Sequence, residues 1–189
     1  MVETPFAAAA LGAAPDSLAI GLHAVLDAGW GEGEAEERLA RQLDRFAALR
    51  GRPPSHLDSH RHAHAAPGPF AAMARVARTL GLPVRAIDAT MRGALRRAGV
   101  TTSDAFLGDA ALRPAWTEGR LLEALGRIEE GTTELMTHPG YRPSQVRTSF
   151  GVEREVELAA LCSARVRALV ESAGLHLSSY RDALRRGAG

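Results

Sequence analysis

The 189-residue chain contains no lysine: all 23 of its basic residues are arginine. Set against 22 aspartates and glutamates, they leave a formal net charge of +1. The cationic excess with which a nucleic-acid binder neutralises phosphates is therefore missing. Alanine and glycine are abundant, and arginine in place of lysine points to a GC-rich coding sequence rather than to a ligand. A single cysteine, Cys162, excludes an intramolecular disulfide. It lies in the apolar-periodic run "LAALCSARVRALV", where a packed helical thiol is expected. No basic residue precedes the apolar opening "MVETPFAAAALGAAP", and Glu3 interrupts it, unlike a secretory signal; the run also falls short of the ~20 residues that span a bilayer. The expectation is a soluble, cytoplasmic protein with no nucleic-acid and no membrane partner. A dinucleotide fingerprint is absent too, since the glycine-rich "AGWGEGE" lacks the spacing of a phosphate-binding turn. The length is near that of one domain, so a single domain over 1–189 is expected.

What is present is an alternation of short apolar runs with helical patterns. Residues 16–25, "DSLAIGLHAV", read as a short buried strand, and residues 34–49 as a helix with Leu39, Leu43, Phe46 and Leu49 on its apolar side. The breaker "GRPP" follows, then a histidine-rich strand, then a helix over Pro67–Leu80 stopped by Gly81. The strand "PVRAI", a helix over 89–98, a poorly defined "DAFLG", a helix over 114–128 and the strand "TELMTH" come next. A helix over 153–173 stopped by Gly174 and a last strand, "LHLSSY", end the series. Strands and helices alternating through short turns predict an α/β fold with a mostly parallel sheet, open or closed into a barrel.

The stretch "SHLDSHRHAH" places four of the seven histidines in ten positions. If the chain is extended there, His56, Asp58, His60, His62 and His64 share one face, because successive side chains point to opposite sides. Such a face needs a ligand, a network or water, since a buried polar group without a partner costs about 1–3 kcal/mol. Three predicted strands run into a histidine: His23, His60 and His138. In barrels, the carboxyl ends of strands converge on the active face, which makes these three candidates for one site. Each also has a plainer reading, His23 as a satisfied core histidine, His138 as a strand terminator before Pro139, and His60 as part of a polar surface. Two imidazoles and a carboxylate on a divalent ion, with an open position for water, form the pattern of hydrolytic metal centres. A further group must take and return the proton. Asp58, His62 or His64 could orient the ligand histidines through the other ring nitrogen.

"AIGLHAVL", "RPPSHLDSHRHAH", "PVR", "ELMTHPGY" and "EREVELAAL", in this order, resemble the YdjC family of carbohydrate deacetylases in its ChbG- and HpnK-like form. The resemblance covers nearly the whole chain. It implies a barrel-like α/β fold and the removal of N-acetyl groups from amino sugars or chito-oligosaccharides with a divalent metal, zinc or magnesium. It implies His23 and His60 as metal ligands and His138 as a catalytic group that protonates the leaving amine. Arg85 matches the family's arginine after the central strand and is expected to hold a carboxylate or substrate oxygen. Asp58, His62 and His64 belong to the matched motif and are expected to support the ligands. The family's opening Ala-Asp-Asp-Phe-Gly motif, source of a third ligand and the proposed base, is missing from this sequence. Relative to the family about 30 residues, one βα unit, are absent before "MVETP". Either Met1 is an internal methionine of a longer protein, or the short form is real and its sheet edge invites association into a homo-oligomer. In the second case the chain is a catalytically silent carbohydrate- or metal-binding member, unless Asp16, Asp27 or Asp88 substitutes for the lost carboxylates. A phosphoester in place of the acetamide is a third reading.

Overall fold

The computed structural model describes residues 1–108, 114–142 and 150–183. It divides into two compact units, residues 1–104 with the segment from Ser178 onward, and residues 105–177.

In the first unit, β1 (Leu22–Ala24) lies parallel to β2 (Leu57–Ser59), with Leu22 opposite Leu57 and His23 opposite Asp58. A parallel pair needs a crossover, which α2 (Glu32–Arg50) supplies. Helix α2 places Leu39 and Phe46 in a core with Leu22, Leu57, and Met73 and Ala77 of α3 (Pro67–Leu80). Both helices end as the glycines predict: Gly51 and Gly81 adopt the left-handed conformation, φ 72° and 63°, that a side chain would resist. A short helix, α1 (Ala7–Ala13), precedes β1, and α4 (Ala89–Arg97) begins where the Asp88 carboxylate accepts the Met91 N–H.

The first strand is shorter than the sequence predicts. Arg50 and Arg52 bond Asp16 and the neighbouring carbonyls, drawing residues 15 and 16 to the end of α2 as a loop, and Leu18 is 53% exposed. "PVRAI" contributes a parallel bridge of Val84 to Leu57, flanked by bonds from Leu57 N–H to Pro83 and from Arg85 N–H to Leu57. Leu22 and Ala24 turn their backbone groups to β2, so His23 and Val25 present theirs to the other edge. There the buried Gln42 side chain acts as a strand would: its amide accepts the Val25 N–H at 2.8 Å and donates to the Val25 carbonyl at 2.9 Å.

The second unit repeats the parallel theme. Strand β3 (Ala105–Leu107), in the segment the sequence left poorly defined, pairs with β4 (Thr133–Leu135) in the register Phe106 to Glu134. Helix α5 (Glu118–Leu125) is shorter than the predicted 114–128, because the Thr117 hydroxyl caps it and the Trp116 indole donates to the Met136 carbonyl, holding the preceding residues out of the helix. The predicted long helix is two: α6 (Val152–Leu161) and α7 (Ala164–Ser172), broken where the Ser163 hydroxyl accepts from the Arg165 and Val166 N–H groups. Cys162 sits at this break and is exposed, not packed. Trp116, Leu121, Leu125, Ala160 and Val166 form the core. The predicted last strand does not form. Leu177 is 87% exposed, and the Ser179 hydroxyl with Asp182 caps a one-turn helix, α8 (Tyr180–Ala183), which belongs to the first unit. Parallel strands connected by helices place the molecule in the predicted α/β class.

Candidate active site

The chain leaves β2 at Ser59 and turns at once through a tight helical segment, His60–Ala65, in which Arg61 and His62 have φ of 53° and 55°. Two successive non-glycine residues in the left-handed region cost about 1–2 kcal/mol each. A buried network holds them there. The Ser59 hydroxyl accepts the His64 backbone N–H at 2.9 Å and donates to the His64 Nδ1 at 2.6 Å. His64 Nε2–H then donates to the Arg85 carbonyl at 3.1 Å, which fixes its tautomer. His64 is fully buried, and desolvation pushes its pKa down to about 4.

This turn corrects the five-residue polar face: the extended alternation stops at Ser59. His64 bonds Ser59 and Arg85, so it braces the turn instead of orienting His23 or His60. His62, half-buried, lies edge-on to His64 with ring centroids 6.1 Å apart. His56 stacks on Tyr180 of α8 at 4.1 Å, its Nδ1 bonded to the Ser55 hydroxyl, and burial lowers its pKa to about 4. Its ring lies against Gly21, leaving no room for a Cβ there.

Asp58, His23, His60 and Arg85 do come together. His23 Nδ1–H donates to Asp58 Oδ2 at 2.8 Å, and Arg85 Nη1 donates to the same oxygen at 2.6 Å. Burial alone would raise the Asp58 pKa, but the His23 bond and the Arg85 charge outweigh it and hold the carboxyl below its ordinary value. With Nδ1 committed to the carboxylate, Nε2 is the nitrogen of His23 that remains to bind a cation. The exposed His60 ring stands nearly perpendicular to His23, centroids 5.7 Å apart. Its pKa is lowered by desolvation and by the positive charges of His23, Arg61 and the amino terminus. Both features suit imidazoles that bind a cation through a neutral nitrogen.

The pair offers at most two imidazole ligands to a cation. Among the described residues no group of three His, Cys, Asp or Glu side chains is placed to hold a metal. The substitute carboxylates are engaged elsewhere: Asp16 with Arg50 and Arg52, Asp27 with the Gly29 N–H, and Asp88 as the cap of α4.

His138 belongs to the second unit, just past β4, with its ring 5.0 Å from that of Phe150. Its backbone N–H donates to Glu157 Oε2 at 2.6 Å, and Glu157 Oε1 accepts the Ala115 N–H at 3.1 Å. The sequence reading gave Glu157 no role although it lies within "EREVELAAL". The available signal was slight: an acidic residue three positions before the buried Ala160 on the core side of α6.

The family model for YdjC-like proteins matches residues 1–172. The chain belongs to the YdjC-like family. Among curated relatives, a carbohydrate deacetylase from Geobacillus stearothermophilus is 33% identical over 153 residues, covering 79% of this chain and 60% of the relative. A chitooligosaccharide deacetylase from Yersinia pestis is 31% identical over 159 residues, with the same coverage. The chain thus spans about 60% of the length of these relatives. A solved structure from Enterococcus faecalis, described as a candidate cellobiose-phosphate cleavage protein, superposes with a TM-score of 0.81 over 95% of this chain and 84% of that one, at 22% identity. That likeness is one of fold and agrees with a barrel-like α/β architecture. No helix among the described residues is long and apolar enough to cross a membrane.

Proposed function

We propose that this chain carries the active-site residues of a metal-dependent hydrolase that removes N-acetyl groups from an amino sugar or chito-oligosaccharide-like carbohydrate. The observation that supports it is the pair of imidazoles, His23 and His60, with His23 oriented by Asp58, whose carboxylate Arg85 also bonds, in a family whose curated relatives are carbohydrate deacetylases. His23 through Nε2, and His60, would hold a divalent ion, zinc or magnesium; the ion supplies a Lewis acid for the acetamide carbonyl and an acidified water. Asp58 keeps the His23 ring in one tautomer and one orientation, and Arg85 restrains Asp58. The family resemblance supports His138, in the second unit, as the proposed source of the proton that the departing amine requires. The test is acetate release from N,N′-diacetylchitobiose by the wild-type chain and by His60→Ala, with and without a chelator. Release that requires both His60 and the metal supports the reading, and release indifferent to His60 overturns it.

One observation favours a second reading. Two imidazoles without a third protein ligand among the described residues make a weak metal site, which suits a binding protein that does not turn over its sugar. Robust deacetylation by the 189-residue chain rules that reading out.

A further inference from the structure

Glu157 has no exposed surface, and among the described residues its carboxylate meets two backbone amides: His138 N–H at 2.6 Å and Ala115 N–H at 3.1 Å. A fully buried carboxylate is costly unless its oxygens are bonded. Here each oxygen takes one N–H, from segments on either side of β4 in sequence order. The shorter bond falls on the residue proposed to donate a proton. The backbone ties on either side of His138 are few: Met136 N–H bonds the Leu107 carbonyl at 2.8 Å, Pro139 lacks an N–H of its own, and Gly140 N–H reaches the Arg154 carbonyl only at 3.3 Å. Trp116 adds a second tie from the same side, its indole donating to the Met136 carbonyl at 2.7 Å. Helix α6 thus delivers a buried acceptor to the backbone of His138 and sets where its side chain begins.

We infer that Glu157 is the positioning residue for His138, locking the backbone from which the proton-donating imidazole projects. The inference rests on the proposed role of His138. Gln is nearly isosteric, but it offers one acceptor oxygen and turns an NH₂ donor toward the other backbone N–H, so one of the two bonds is lost. A displacement of about 1 Å in a catalytic group can cost on the order of 100-fold in rate.

The experiment compares the wild-type chain, Glu157→Gln, His138→Ala and the double variant in deacetylation of N,N′-diacetylchitobiose, with hydrogen exchange of the His138 amide followed by NMR in the wild type and Glu157→Gln. The expected result is a fall in kcat of about 10- to 100-fold in Glu157→Gln with KM within about threefold, no further loss when Glu157→Gln is added to His138→Ala, and faster exchange of the His138 amide. Additive losses in the double variant, or an amide equally protected in Glu157→Gln, overturn the inference. Should the wild type release no acetate, the deacetylase reading fails by itself, and the amide exchange still decides whether Glu157 restrains His138. Should Glu157→Gln fail to fold, Glu157→Asp replaces it, with the same non-additivity and the same loss of protection expected.

Discussion

Acidification from pH 7 to about 4.5 should weaken the fold through His64, by an amount the structure allows to be worked out. The imidazole is fully buried, accepts from the Ser59 hydroxyl and donates to the Arg85 carbonyl. Burial holds its pKa at about 4 against an ordinary 6.5. Between these two values the unfolded chain takes up a proton that the folded chain refuses, so the stability is complete above 6.5 and drains away as the pH falls toward 4. At about 1.4 kcal/mol per pKa unit, descent to about pH 4.5 removes roughly 2.5 kcal/mol at this one residue. The assay is urea unfolding, followed by tryptophan fluorescence, of the wild type and His64→Gln at both pH values. His56, whose pKa is also about 4, titrates in both proteins and cancels in the comparison. The wild type should lose about 2.5 kcal/mol more than the variant. Equal losses would refute the argument, because they would mean that the buried ring is not what resists protonation.

Two further outcomes follow from the same unit. Asp58→Asn removes the negative charge that His23 and Arg85 share through one oxygen in a nearly buried pair; thermal unfolding should report a loss of about 3 kcal/mol, the cost of breaking a buried ion pair from one side. Gly21→Ala drives a methyl group into the His56 ring and should displace it from Tyr180, lowering stability by about 1–3 kcal/mol; a crystal structure of the variant with the His56–Tyr180 stack intact would contradict this.

What could be read in the sequence was what periodicity and glycine control. Helices α2 and α3 emerged nearly whole because Leu39, Phe46, Met73 and Ala77 recur at helical spacing and because Gly51 and Gly81 can take a left-handed stop. His23, Asp58, His60 and Arg85 were legible from the resemblance, and the structure adds which atoms meet. The turn after Ser59 was not legible. Alternation assumes an extended chain, whereas the Ser59 hydroxyl and the His64 ring stabilise a left-handed pair that no local propensity favours. A similar side-chain bond, from Ser163, cut the predicted long helix in two. The last strand failed because Ser179 and Asp182 cap a turn of helix in a segment where Leu175 reaches the core of the second unit but Leu177 is exposed. Glu157 escaped notice because a lone acidic residue in a helix usually faces water; only its two backbone partners reveal otherwise.

The Gln42 amide at the outer edge of β1 acts as a placeholder. It occupies both backbone groups of Val25 in the geometry of a neighbouring strand, so any chain that pairs with β1 past His23 must first evict a buried side chain that is already well bonded. At His23 the same edge is met by the Met1 amino group, which donates to the His23 carbonyl at 2.6 Å, so the selectivity of this edge resides in groups outside the sheet rather than in the strand itself.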